Sequence, residues 1–386
     1  MDELSDKLKE LALFIHSHPE IAFNEYLSAS AVTAFLEEHG FKVKKGIAGL
    51  ATAFTASFGS ASQKPKVALL AEYDALPALG HACGHNLIAT ASCGASVAVA
   101  KAFPDLMGEV ICIGTPAEEG GGGKIIMARE GLFDDFDAVM MAHPSNKNII
   151  FKLALGVVEV NVKFLGKSAH AAAWPERGVN ALDAMVLFFS AINAMRQQFP
   201  PYVRVHGIIK HGGDAPNIIP ERTEAAILVR ALDKNILREM LERVKSAAEG
   251  SALATGCKCE WTEKENHAYA PFHPNRRLGN LYRDSLELLG VQIDTSPEDR
   301  EMGSSDIGNV SERAPTIHPE FRIGPDDVVH HTEEFQKQAC SKQALQAMIT
   351  TAKALAITAG NIILNPHLAE EIRAEFDKGK VQKKFS

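Results

Sequence analysis

Cysteine is sparse: six in 386 residues (Cys83, Cys93, Cys112, Cys257, Cys259 and Cys340). So few, so spread, do not make a disulfide framework, and each thiol is either buried packing or chemistry. Basic charge is not in excess. The chain has 40 Lys and Arg against 48 Asp and Glu, a net charge of −8. That balance argues against a nucleic-acid partner, which would need a basic face for phosphate. No apolar run reaches the roughly 18 residues of a membrane span. The opening MDELSDKLKE is charged and lacks the apolar core of a signal peptide, so a cytoplasmic location and no membrane partner are expected. Internal repeats and low-complexity linkers are missing as well. What is left is an average globular composition, 46% apolar and 23% charged. The length allows two or three domains.

Periodicity gives the organisation. Residues 5–15 and 28–39 repeat their apolar positions at helical spacing. Three short apolar runs follow, 66–71 (KVALLA), 109–114 (EVICIG) and 138–142 (AVMMA). None alternates, as expected of strands covered on both faces. Between them lie an Ala/Ser/Gly-rich stretch, 87–103, and a shorter one, 125–130, both read as helices. Strand–helix–strand alternation predicts an α/β fold with a mainly parallel sheet. Near Gly156 the pattern changes to alternation at Val158, Val160, Val162 and Phe164, a strand with one open face. A helix over 180–197, strands over 203–210 and 224–232, a helix over 234–255 and a strand over 258–263 complete a β-α-β-β-α-β order. That order is ferredoxin-like. It closes on itself and reads as an inserted domain, 156–266, within a discontinuous domain, 1–155 and 267–386. The α/β pattern then resumes with a helix at 278–289, a strand at 316–323 and a helix at 341–363. The charged tail from Asn365 is expected to be a solvated helix.

The chemistry sits after the first three strands. Glu72 and Asp74, then His81-Ala82-Cys83-Gly84-His85, follow the first. Thr115-Pro116-Ala117-Glu118-Glu119 follows the second, and His143-Pro144 the third. Ligands bind beyond the carboxyl ends of strands in open parallel sheets. One edge therefore collects carboxylates, a thiol and imidazoles, the ligand types of zinc, manganese or a similar divalent ion. Singly, each has a blander reading: Cys83 as a small buried apolar residue, His85 as a helix-start histidine, Glu118-Glu119 as a solvated pair, His143 as a turn residue. Their convergence favours metal. Adjacent glutamates can divide the work, one binding metal while the other takes a proton from an activated water. Gly120–Gly123 followed by Lys124 does not make a phosphate loop, because Glu118 stands where the first glycine is needed and Ile125 where Ser or Thr is needed.

The runs 71–77 (AEYDALP), 81–86 (HACGHN), 115–120 (TPAEEG) and 166–171 (GKSAHA) resemble the M20 metallopeptidase family, within its amidohydrolase branch, subfamily D. The resemblance spans about residues 5–363. It implies a di-metal catalytic domain with an inserted lid or dimerisation domain, and hydrolysis of amide bonds to amino acids. It implies two divalent ions per subunit, Zn²⁺ or Mn²⁺, held by Cys83, His85, Glu119, His143 and His331. His330 competes for the last place. Glu118 carries over as general base, and Asp74 as a supporting residue behind the ligands. His170 carries over as the donor to the tetrahedral oxyanion, reaching a neighbouring subunit's site. Asn217 and Arg230 match substrate-holding positions, and an arginine fork suits a carboxylate. Without the resemblance, His170 reads as a turn histidine and Arg230 as a surface ion-pair residue.

The expected substrates are dipeptides first, then N-acyl amino acids and aminobenzoyl-glutamate-like amides. A homodimer is expected, with a tetramer also compatible. Two other readings stand beside this one. Cys83 could be a nucleophile with His85 as its base, although two positions apart in one turn is poor geometry. The chain could also be a peptide- or metal-binding paralogue without turnover, yet neither Glu118 nor a ligand is missing.

Overall fold

A computed structural model describes residues 4–295, 297 and 302–385. It opens with helices α1 (Ser5–Ser17) and α2 (Tyr26–Glu38). α1 buries Leu8, Leu11, Ala12 and Ile15 at helical spacing and exposes Asp6, Lys7 and Glu10. Two strands that the periodicity does not predict come next, β1 (Lys42–Lys45) and β2 (Phe54–Gly59). β1 reads Lys-Val-Lys-Lys and is mostly exposed, a charged edge that shows no apolar run. Then follow β3 (Lys66–Ala71), α3 (His85–Ala102), β4 (Glu109–Gly114), α4 (Gly123–Arg129), β5 (Ala138–Met140) and β6 (His143–Ser145). The run expected to be one strand over 138–142 stops at Met140, and the chain re-enters a different pairing at His143.

From Gly156 the elements are β7 (Gly156–Leu165), α5 (Ala181–Met195), β8 (Arg204–His211), β9 (Arg222–Ala231), α6 (Lys234–Thr255) and β10 (Lys258–Tyr269). β10 runs six residues past its expected end, through a register shift between Glu263 and Ala268. The chain closes with α7 (Arg276–Leu288), α8 (Ile307–Ser311), β11 (Thr316–Ile317), β12 (Glu320–Arg322), α9 (Glu333–Gln338), α10 (Lys342–Leu364) and α11 (Pro366–Phe385). The single strand expected over 316–323 is thus two. Pro319, which has no N–H to give a ladder, lies between them. β11 pairs with β5 and β12 with β6, in separate sheets. The tail helix is not wholly solvated either, because Ala369 and Ile372 are buried.

The chain divides into two compact units. The first runs to Leu153 and resumes at His273; the second is Ala154–Phe272 with Gly303–Ser305. The first holds a six-stranded sheet of order β1-β2-β4-β3-β5-β11. β4, β3, β5 and β11 are parallel, whereas β1 and β2 add on antiparallel. The parallel strands carry almost unbroken apolar sequence because helices cover them: β4 is buried at every residue and β3 at all but Lys66. Among the described residues one helix, α10, is long and apolar enough to cross a membrane. Most of that stretch is buried inside the first unit, as in a core helix.

The second unit is a four-stranded antiparallel sheet of order β10-β7-β9-β8, the ferredoxin-like order. β9 alternates throughout, and β7 does so from Val158 onward. Val160, Val162, Phe164, Ala225, Ile227 and Val229 point into a core shared with Ala184, Met185 and Phe188 of α5 and Met240 and Val244 of α6. β8 is an edge strand whose Ile208 and Ile209 are exposed.

Candidate metal centre

The carboxyl ends of β3, β4 and β5 bring the acids, thiol and imidazoles together within the first unit. Cys83 and His85 flank Gly84, whose φ of +78° suits glycine. A Cβ on Gly84 would lie 2.6 Å from Pro144 Cγ. Only glycine therefore lets this turn close on the His143-Pro144 segment, and Cys83 Sγ comes 3.5 Å from His143 Nε2.

Hydrogen bonds behind the imidazoles set their direction. His85 Nδ1 pairs with Asp74 Oδ1 at 3.0 Å, and His143 Nδ1 with the Pro144 carbonyl at 2.8 Å. Each ring thus turns Nε2 into the site. Asp74 also accepts the backbone N–H of Glu119 on Oδ2 at 2.9 Å, so one buried carboxylate braces two of the expected ligands. His331 has a left-handed backbone, φ +64°, and its N–H bonds the Ala82 carbonyl at 2.9 Å. Its Nε2 lies 3.5 Å from Glu119 Oε1. His330 instead bonds the Pro144 carbonyl through Nε2 at 2.7 Å and packs on Phe335.

Two trios share a residue. The ligand atoms of Cys83, His85 and His143 lie within 4.8 Å of one another, and so do those of Cys83, Glu119 and His331. Cys83 belongs to both, which suits two adjacent ions. Metal–ligand bonds of about 2.0–2.3 Å in a tetrahedron set ligand atoms roughly 3.3–3.8 Å apart. The Cys83–His143 and Glu119–His331 contacts, both 3.5 Å, have that spacing.

The electrostatics point the same way. His85 Nε2 and Glu119 Oε1 are buried, make no hydrogen bond and lie 3.9 Å apart. Buried polar atoms without partners are costly unless a bound group satisfies them. Burial alone would lower the His85 pKa, but Asp74 and Glu72 outweigh it and hold it well above its ordinary value. Positive charge is thus favoured at Nε2, as a proton or a metal ion. Burial, then His330 and His318, keep His143 neutral, its ligating form. Burial and the nearby Glu119 push the Cys83 thiol well up. That thiol keeps its proton until a cation displaces it.

Glu118 stands beside these ligands, with an oxygen near His85 and Glu119. Burial, then Glu72, Asp306 and Glu119, raise its carboxyl well above the usual range, and Lys124 opposes them. Its backbone is held by a residue that no sequence motif singles out. Glu25, fully buried, accepts the N–H of Ala117 on Oε1 at 2.9 Å and the Thr52 hydroxyl on Oε2 at 2.8 Å. Ala117 has φ +60°, and this bond pins the strained residue just before the glutamate pair. Lys124 and Asp306, buried behind Glu118, are likewise site residues that the sequence does not signal. Glu25 carries no motif, Lys124 looks like part of a failed phosphate loop, and Asp306 follows a plain Gly-Ser-Ser.

His170, Asn217 and Arg230 lie in the second unit. The Ala172 and Ala173 N–H groups donate to His170 Nδ1 at 3.3 and 3.1 Å. A neutral ring there carries its proton on Nε2, free to donate from an exposed side chain. The Asn217 carbonyl accepts the Ala171 N–H at 3.0 Å, which sets Asn217 beside His170. Arg230 lies at the end of β9, half-buried, with Nη1 3.2 Å from Ser304 Oγ and a buried Nε that makes no hydrogen bond.

Known proteins resemble the chain over most of its length. Residues 154–255 match the peptidase dimerisation domain of the M20 family. The chain is 41% identical over 396 positions to the Xaa-Arg dipeptidase of Mus musculus, covering 99% of this chain and 91% of that one. It is 31% identical to a p-aminobenzoyl-glutamate hydrolase polypeptide of Escherichia coli, covering 95% and 91%. A solved dinuclear metal-binding peptidase of the M20 family from Bacillus subtilis superposes with a TM-score of 0.71 at 19% identity, covering 94% and 99%.

The Asp74 brace generates a test. Asp74→Asn should weaken divalent-ion binding about 10–100-fold, measured by competition with a chromophoric chelator. Unchanged affinity would show that Asp74 does not orient the ligands.

Proposed function

Because the chain belongs to the M20 peptidase family, we propose that it hydrolyses dipeptides at a dinuclear metal centre, with a basic C-terminal residue preferred. Metal-dependent cleavage of amide bonds in dipeptides or N-acyl amino acids is the family activity its relatives carry. The preference for a basic residue rests on the two Xaa-Arg dipeptidases, at 41% and 38% identity over nearly the whole chain. The observation that carries the reading is the convergence of Cys83, His85, Glu119, His143 and His331 around orphaned buried atoms, with Glu118 alongside.

Those five side chains would hold two divalent ions, zinc by preference given a thiolate and three imidazoles, with manganese second. Bound ions supply Lewis acidity, polarising the amide carbonyl and lowering the pKa of a water. Glu118, whose raised proton affinity suits a general base at neutral pH, takes the proton of the attacking water and later delivers it to the leaving amine. His170 donates its Nε2 proton to the oxyanion, from the partner subunit. Arg230 clamps the substrate carboxylate with its fork, and Asn217 donates beside it.

A cysteine nucleophile fits less well. The Cys83 thiol lies between two imidazoles, 3.5 Å from His143 Nε2 and also close to His85, a placement that suits a shared metal ligand better than a nucleophile with one dedicated base. Burial raises the thiol pKa where a nucleophile needs it lowered. The six cysteines are all free thiols, which agrees with a reducing, cytoplasmic setting. A homodimer through the second unit completes the proposal; the domain match supports it, as does the exposed edge of β8, with Ile208 and Ile209 bare and Val186 and Leu187 of α5 also exposed.

Three outcomes are expected. Glu118→Gln should keep two ions by elemental analysis and lose about 10²–10⁴-fold in kcat; a variant with both ions and normal turnover removes Glu118 as the base. In a panel of Xaa-Arg, Xaa-Asp and N-acetyl amino acids, kcat/KM should be highest for Xaa-Arg, and Arg230→Ala should raise KM for every member. Equal rates across the panel would remove the basic preference. Sedimentation at micromolar concentration should show a dimer; a monomer that hydrolyses normally would contradict the in-trans role of His170.

A further inference from the structure

Behind Glu118, and unused by the reaction so far, lies a second group of charges. Lys124 and Asp306 are fully buried and Glu72 is 1% exposed. Oxygens of Glu72, Glu118 and Asp306 lie within 4.8 Å of one another, close enough to grip a cation. An ammonium already fills that place. Lys124 Nζ is 2.5 Å from Glu72 Oε1 and 2.6 Å from Asp306 Oδ1. The Lys124 backbone N–H adds a 3.0 Å bond to Asp306 Oδ2.

The connections reach into the candidate centre. Glu72 directly follows β3, and its second oxygen, Oε2, is buried, makes no hydrogen bond and faces His85 Nε2 at 3.4 Å. Lys124 is the second residue of α4, which begins just past the Glu118-Glu119 turn, and Asp306 leads into α8. Gly123, next to it, lets α4 start against the Glu118 turn, since a Cβ there would lie 1.9 Å from the Pro116 carbonyl oxygen. One side chain therefore ties the end of β3, the start of α4 and the approach to α8 behind the base. Three carboxylates so close repel one another in a buried setting unless a cation lies among them.

We propose that Lys124 is a positioning residue of the hydrolytic site, a tethered ammonium that takes the place of a cation among Glu72, Glu118 and Asp306 and so holds the Glu118 carboxylate in its working orientation. The inference rests on the function proposed above and assigns this lysine a role that touches neither substrate nor metal.

The experiment uses full-length, metal-loaded Lys124→Ala with an Arg-terminated dipeptide. The variant is expected to keep two ions per chain, to lose at least 100-fold in kcat and to keep KM within about threefold. Methylammonium chloride, which fits the space left by the side chain, should restore kcat at least tenfold with saturation. Tetramethylammonium, too large and without N–H donors, should not. A kcat within threefold of the parent overturns the proposal, as does a loss that methylammonium leaves untouched. If Lys124→Ala does not fold, the charge-balanced Lys124→Met/Asp306→Asn variant replaces it. That variant is expected to fold and load but to stay at least 100-fold low in kcat, and parental turnover in it overturns the role. Parental protein that binds no ions and cleaves nothing would instead refute the function itself, so the two failures are distinguishable.

Discussion

Buried negative charge at one sheet edge is the constraint on which the rest of this site depends. Glu72, Asp74 and Asp306 are fully buried, and Glu118 and Glu119 are half-buried beside them. A thiol is set among them as well. Desolvated carboxylates at such spacing cannot all stay ionised without positive charge nearby. The protein supplies one fixed charge, the Lys124 ammonium, paired with Glu72 and Asp306. It leaves a second deficit around Cys83, His85 and Glu119, where two buried atoms have no hydrogen bond at all. The first deficit is closed covalently, by a residue of the chain; the second is left for exchangeable ions. That division explains why two similar clusters of acids sit side by side and only one of them is open to exchangeable ions.

The scaffold fixes this charge pattern with few parts. Parallel strands β3 and β4 end side by side, with Ala71 opposite Gly114, so the residues after them start from a common edge. Asp74 then crosses between the two loops to bond His85 and the Glu119 amide. Glu25 reaches across from the α2 side to hold Ala117 in its left-handed conformation. Such strain persists only where surrounding bonds over-determine it. Here it precedes two consecutive glutamates that part company, Glu119 among the ligands with Cys83 and His331 and Glu118 between His85 and the acids behind. An extended backbone would also part them, but it would not bend the chain into the Gly120–Gly123 turn that starts α4.

Much of this is legible in the sequence, and for identifiable reasons. β3 and β4 are readable to the residue because strands covered on both faces are uninterrupted apolar runs. The α6 helix is equally clear, since its apolar positions recur at helical spacing between Asp233, which caps it, and Gly256. β1 and β2 are not, because an edge strand needs no apolar run and β1 is mostly lysine. The strand over 316–323 misleads because both halves are extended and lie close in sequence while Pro319 parts them into different sheets. At the site, Cys83, His85, Glu118, Glu119 and His143 each announce themselves by chemistry at a strand end. Glu25, Lys124 and Asp306 do not, because their importance lies in partners 92 and 182 residues away. Spacing in sequence says nothing of such pairs; only the closed sheet brings them together.

The thiol adds a consequence that carboxylates alone would not. Burial and Glu119 hold Cys83 protonated, and the surrounding acids favour a proton on His85. Both protons must leave for these atoms to become ligands, so ion binding and proton release are linked. The sign follows directly. Lower pH keeps both atoms protonated and opposes loading; higher pH favours it until the ordinary ligand forms are reached. Asp74 works against part of that cost, because its bond to His85 Nδ1 remains useful after the Nε2 proton has gone, fixing the tautomer whose lone pair faces the ion. His143 needs no such help, as burial already keeps it neutral. The two imidazoles therefore reach the same ligating form by opposite routes, one prepared in advance and one exchanging a proton for a metal, and the thiol that both face is common to the two trios.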